Sequence, residues 1–235
     1  MELKNAVVLV TGANRGLGLA FAREALARGA RKVYAAARDP ASITLPGVQA
    51  VKLDVTNADD VATAARTLGD VTVLINNAGI ALMGGFLEKN SLEQARAQME
   101  TNYFGPLRLS QAFAGTLGAN GGGAILNVLS VVSWVSSPMM TGYSASKSAA
   151  WSLTNGLRHQ LHEQNTQVLG LHMGFVDTDL TRGLDAPKSS PEAIVTRALD
   201  ALEAGADEVL GDEFTEQVKQ GLSAVPGVYL GYERP

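Results

Sequence analysis

Short apolar runs alternate with longer amphipathic ones, and this alternation most constrains what the chain can fold into. Residues 7–10, 32–36, 48–53, 71–75, 124–129 and 168–172 read as strands. Helical patterns lie near 17–28, 58–68, 91–118, 143–164 and 191–204. Strands that look buried on both faces, with helices between them, predict a parallel sheet covered on both sides. With 235 residues, 46% of them hydrophobic, the chain can bury one such core. GANGGG at 118–123 reads as a helix-to-strand turn, not a linker, and no repeat is found. The expectation is a single doubly wound α/β domain over residues 1–235.

Composition removes several classes of function. The chain has no cysteine, so disulfides, thiolate catalysis and Cys-based metal sites are excluded. Net charge is −4, with both signs interspersed and no basic stripe, so no nucleic-acid partner is expected. The apolar run in MELKNAVVLV is too short for a signal-peptide core, and no segment is apolar enough to span a bilayer. No membrane partner is expected, and the predicted location is cytoplasmic. His159 and His162 lie three apart, but no third ligand stands at suitable spacing, so they read as a polar helix face and no metal is expected. His172 falls in a strand run and reads as a satisfied core histidine.

The first strand run leads straight into TGANRGLG, Thr11 to Gly18. A helix N-terminus offers free N–H groups and partial positive charge, which suits a phosphate. Gly12 allows a sharp turn, Gly16 a close approach to a ligand, and Gly18 tight packing of helix on strand. A glycine-rich turn without a ligand is the competing reading. At the end of the second strand run stand Ala37, Arg38 and Asp39. Arg38, joined by Arg15, suits the 2′-phosphate of NADP(H). Asp39 as a ribose acid would instead indicate NAD(H), the less favoured cofactor.

Tyr143 and Lys147 open a helical run and share one of its faces. A phenol titrates near pH ~10, too high for neutral acid–base work. An ammonium ~4 Å away stabilises its phenolate by up to about 4 kcal/mol at an effective dielectric of ~20. Ser130 ends the strand run 124–129, and Asn76-Asn77-Ala78-Gly79 ends the run 71–75. Strand C-termini are where open α/β sheets bind ligands, so both groups are placed to meet one. Trp134, Met139 and Met140 lie between Ser130 and Tyr143 and are expected at a pocket mouth.

Taken in order, TGANRGLG, Asp54-Val55, NNAG at 76–79, TNYFG around Asn102, Ser130, YSASK and MGFVDTDL resemble the short-chain dehydrogenase/reductases over about residues 4–182. The resemblance implies a Rossmann-like fold, a nicotinamide cofactor and the catalytic set Asn102, Ser130, Tyr143 and Lys147. Tyr143 would be the acid/base, Lys147 would lower its pKa and hold the nicotinamide ribose, and Ser130 would polarise the carbonyl. Asn102 would kink its helix and order a water beside Lys147. Asp54 would meet the adenine amino group, and Val176 and Thr178 the carboxamide. The implied cofactor contacts are Gly12, Asn14, Arg15, Gly16, Leu17, Gly18, Arg38, Asp54, Val55, Asn77, Ala78, Gly79, Tyr143, Lys147, Gly174, Val176 and Thr178. Ala37 followed by Arg38 resembles the NADP-preferring members.

The family usually carries proline where this chain has Met173. Its usual end, a strand leading into a Val-Asp-Gly-Gly-like stretch, is missing. GDEFTEQVKQGL reads instead as a final helix over 212–223, within an atypical segment at about 206–235. Val228, Tyr229, Leu230 and Tyr232 follow as an apolar strip expected to dock in the cleft or on a partner subunit. The expected protein moves hydride between NADPH and an apolar carbonyl or secondary alcohol, as a homodimer or a homotetramer. A catalytically idle NADP-binding sensor or scaffold is the alternative.

Overall fold

Seven parallel strands form one sheet in the computed structural model, which describes residues 1–231. The strands are β1 (Val7–Thr11), β2 (Lys32–Ala37), β3 (Gln49–Lys52), β4 (Val73–Asn76), β5 (Ala124–Val128), β6 (Gln167–His172) and β7 (Glu208–Leu210), in the order β3-β2-β1-β4-β5-β6-β7. The helices are α1 (Gly16–Ala27), α2 (Ala58–Thr67), α3 (Ser91–Met99), α4 (Gly105–Ala119), α5 (Thr141–Leu161), α6 (Pro191–Glu203) and α7 (Glu213–Gly221). All five residues of β1 are buried, because α1 and α6 cover one face of the sheet and α2, α4 and α5 the other. Phe21, Ile194 and Leu199 fill the first layer, and Leu109, Phe113 and Leu157 the second. Strand order reverses between β1 and β4, which opens a crevice at their C-terminal ends. No helix among the described residues is long and apolar enough to cross a membrane.

Two departures from the sequence expectation have physical causes. The single helix expected over 91–118 is broken by a π-helical turn, Glu100–Phe104, between α3 and α4. Pro106 has no N–H to donate back to residue 102, so the α ladder loosens there. The seventh strand is present after all, pairing Gly170, Leu171 and His172 with Glu208, Val209 and Leu210. At three residues it is too short for any periodicity to declare it. The described part of the apolar strip meets the chain only at its first residue, where a Cβ at Gly221 of α7 would lie 3.1 Å from Val228. Val228, Tyr229 and Leu230 form one 3₁₀ turn and stay 40%, 54% and 43% exposed, while Tyr232 lies outside the described residues.

His172, at the end of β6, is fully buried. Its Nδ1 lies 3.1 Å from the Ser130 carbonyl, and Trp134 stacks on its ring at 3.9 Å. Trp134 is therefore in a small core with Val131, Val132 and Val218, not at a pocket mouth. Met139 is 59% exposed and Met140 only 7%. The His172 Nε2 has no hydrogen-bond partner, and the nearest carboxylate oxygen, Glu208 Oε1, is 3.5 Å away. Burial pushes the pKa of His172 down to about 4 from 6.5.

The unfolded chain therefore takes up this proton first as pH falls. The stability held by neutral His172 is complete above pH ~6.5 and is lost between there and pH ~4, on the order of 3 kcal/mol in all. Urea unfolding at pH 5 and pH 7 should show a steeper loss toward acid for the native chain than for His172→Asn. Equal slopes would contradict this.

Candidate active site

The glycine turn is built by close approach. Gly12 and Gly16 have positive φ, +65° and +55°, where a side chain would be strained. A Cβ at Gly18 would lie 2.1 Å from the Gly12 carbonyl oxygen, so only glycine fits. The turn is tied to the end of β4 by Asn77, whose Nδ2 donates to the Thr11 carbonyl at 2.8 Å. The Thr11 hydroxyl accepts from the N–H groups of Asn77 and Ala78, both at 3.0 Å. The Asn77 Nδ2 thus holds the turn. No side chain of Arg15 caps α1, so the first turn of this helix keeps N–H groups that Arg15 does not satisfy. Thr178 packs over Gly16, and a Cβ there would lie 3.4 Å from its methyl group. The turn and the 174–178 segment therefore form one cradle, and a cavity of about 480 Å³ opens beside them.

At the far end of the cradle, β2 delivers Arg38 and Asp39, both exposed. Asp39 is engaged locally, since its Oδ1 accepts from the Ala41 N–H at 3.0 Å and caps a 3₁₀ turn. Arg38 has no ion-pair partner among the described residues, whereas Arg15 reaches Asp179 at 3.6 Å. That exposed pair contributes at most about 1 kcal/mol and would yield readily to a phosphate. Asp54 follows β3 and accepts from the N–H and hydroxyl of Thr56 at 2.9 Å and 2.7 Å. Val55 is buried against Gly105, where a Cβ would come within 2.9 Å of it.

The catalytic candidates gather on the other side of the crevice. Lys147 is 4% exposed, and its Nζ donates to the Val128 carbonyl at 2.7 Å. The same Nζ lies 5.6 Å from the centre of the Tyr143 ring and would be 3.8 Å from a Cβ at Gly79. Asn102 sits in the π turn. Its Oδ1 accepts from the Ile80 N–H at 2.9 Å, and its Nδ2 donates to the Ile80 carbonyl at 2.8 Å and to Ser146 Oγ at 2.9 Å. Ser130 is 8% exposed, and its hydroxyl donates to the Met173 carbonyl over a long 3.4 Å. Burial raises Tyr143 to about 12, against the opposing effect of the Ser130 hydroxyl, and lowers Lys147 to about 8. Burial thus opposes the support that the nearby Lys147 was expected to give the phenolate.

Sequence reasoning missed three contributors. Ser146, inside YSASK, links Asn102 to the Tyr143 carbonyl. Gln98 is 1% exposed and accepts from the Leu82 N–H at 2.8 Å. Asp212 accepts from the Gly174 N–H at 2.7 Å. An Asp before a helical run signals a cap, but nothing in the sequence places it against residue 174. Among the described residues no three His, Asp or Glu side chains gather as a metal site.

A family model described as short chain dehydrogenase matches residues 6–189. The chain is 32% identical over 197 residues to dehydrogenase/reductase SDR family member 7B of Bos taurus, covering 76% of this chain and 60% of that protein. It thus spans about three fifths of that relative's length. A solved structure of a short-chain dehydrogenase from Burkholderia cenocepacia, in complex with NADP, is 43% identical, with a TM-score of 0.92 and 95% of each chain covered. A short-chain dehydrogenase/reductase from Burkholderia phymatum, in complex with NAD, is 25% identical, with a TM-score of 0.84 and 94% of each chain covered. From its sheet order, its glycine cradle and the family model over most of its length, the chain belongs to the short-chain dehydrogenase/reductase family.

Proposed function

We propose that this chain is an NADPH-dependent oxidoreductase that moves hydride between the nicotinamide and a carbonyl or secondary alcohol. The observation that carries the reading is the meeting of Tyr143, Lys147, Ser130 and Asn102 at the sheet's C-terminal edge, beside a cradle at the uncapped N-terminus of α1. The residues present fit a dinucleotide. The α1 N-terminus and Gly16 would take the pyrophosphate, Asp54 the adenine side, Lys147 the nicotinamide ribose, and Gly174, Val176 and Thr178 the nicotinamide. Arg38 would take the 2′-phosphate, a reading supported by the engagement of Asp39 in its own turn.

The bound nicotinamide supplies or accepts the hydride. In reduction Tyr143 gives its proton to the carbonyl oxygen, and in oxidation it takes the proton back. Ser130 leaves its weak bond to the Met173 carbonyl and donates to the developing alkoxide. Lys147 supports the phenolate while charged, and acceptors that reach its ammonium, such as ribose hydroxyls, would help to keep its proton on. Pairing of Gly84 with Met140 brings Leu82 and Met83 to the same rim as Met139, which favours an apolar substrate.

A panel of aldehydes, ketones and secondary alcohols, followed by NADPH absorbance, tests the activity. Tyr143→Phe should retain cofactor affinity and lose at least ~10²-fold in kcat. Lys147→Met should lower both. NADPH binding with no turnover on the panel, or near-native turnover in Tyr143→Phe, would overturn the assignment.

Cofactor choice is tested separately by calorimetry. Arg38→Ala should weaken NADPH about tenfold or more and leave NADH within about twofold, because one charge-assisted bond is removed. Added salt should narrow the native gap between the two cofactors. Equal losses for both would show that Arg38 does not read the 2′-phosphate.

A further inference from the structure

The peptide group joining Met173 to Gly174 is gripped from both sides. Its carbonyl accepts from the Ser130 hydroxyl at 3.4 Å and from the Val131 N–H at 2.9 Å. Its N–H donates to Asp212 Oδ2 at 2.7 Å. A single amide therefore joins a carboxylate to the candidate carbonyl-polarising serine. The other oxygen of Asp212 accepts from the N–H and hydroxyl of Thr215, both at 2.8 Å, so the carboxylate is fixed as the cap of α7. One residue earlier, the Gly211 N–H donates to the His172 carbonyl at 2.7 Å. A Cβ at Gly211 would lie 2.9 Å from Ile194 and 3.1 Å from that carbonyl. Residues 211–212 thus clasp the end of β6 at two points.

We propose that Asp212 is a positioning residue for this active site, acting on Ser130 and on the 173–174 backbone through that shared peptide. The proposal rests on the reading of Ser130 as the carbonyl-polarising donor. Gly174 does not restrict its own backbone, so its orientation must be imposed from outside. A carboxylate accepting an N–H makes a strong, charge-assisted bond, which fixes the plane of this peptide and with it the place of the Met173 carbonyl. That carbonyl sets the resting direction of the Ser130 hydroxyl. The clasp also fixes Gly174, where a Cβ would meet Phe214 at 3.2 Å and Asp212 at 3.4 Å.

The test uses the full chain with Asp212→Ala, Asp212→Asn and, as a control, Thr215→Val. The control removes one cap bond from the same carboxylate and leaves the Gly174 bond in place. In Asp212→Ala the Gly174 amide should exchange with solvent faster without any cofactor, and kcat should fall about tenfold. Affinity for 2′,5′-ADP, which reports only the adenine half, should not change. Asp212→Asn keeps an acceptor oxygen and should give a kcat between those of the native chain and Asp212→Ala. Thr215→Val should lower the thermal midpoint without lowering kcat. If Asp212→Ala does not fold, Asp212→Asn decides: a few-fold loss of kcat supports the role and a native kcat overturns it. Native kcat and Gly174 exchange in Asp212→Ala, or an equal kcat loss in Thr215→Val, would also overturn it. Failure of the native chain to bind NADP⁺ and 2′,5′-ADP would instead defeat the proposed function.

Discussion

A lysine ammonium that is 4% exposed is the constraint on which this site depends. Burial lowers its pKa to about 8, and the structure offers it the Val128 carbonyl at 2.7 Å. Burial also pushes Tyr143 up to about 12. The backbone leaves space beside the ammonium. Gly79 presents no side chain toward Lys147, and Asn102 is held back by both polar groups of Ile80 and by Ser146.

The sheet supplies the precision. Ser130 follows β5, Gly174 follows β6, Gly79 follows β4 and the glycine turn follows β1, so four strand ends deliver the site to one edge. Each end is also braced sideways. Asn77 ties β4 to the turn, His172 meets the Ser130 carbonyl, and residues 211–212 tie β7 to the end of β6. Sites held by rigid elements in this way keep reacting groups in register without reorganising at the moment of reaction.

Much of this was legible in the sequence. The alternation of strand and helix periods located six of the seven strands, and the four-residue spacing of Tyr143 and Lys147 put both on one face of α5. Ser130 was found because it ends an apolar run. What escaped notice depends on contacts between distant segments. Asp212 reads as a helix cap from its neighbours, and only the fold brings it to Gly174, 38 positions away. Trp134 was misplaced because its loop position suggested a mouth, whereas stacking on His172 draws it inward. The π turn at Asn102 and the three-residue β7 carry too little pattern to be seen before packing decides them. Spacing reveals the proximity of Tyr143 and Lys147 but not the desolvation that opposes it.

The most direct test of this account is an ultraviolet-difference titration of the Tyr143 phenol, with Tyr143→Phe as the blank. It should be run with and without saturating NADP⁺, in the native chain and in Lys147→Met. The account predicts that NADP⁺ lowers the phenol from about 12 in the native chain, and that Lys147→Met abolishes most of the shift. A phenol that titrates at the same pH with and without NADP⁺, or that shifts equally without Lys147, would contradict it.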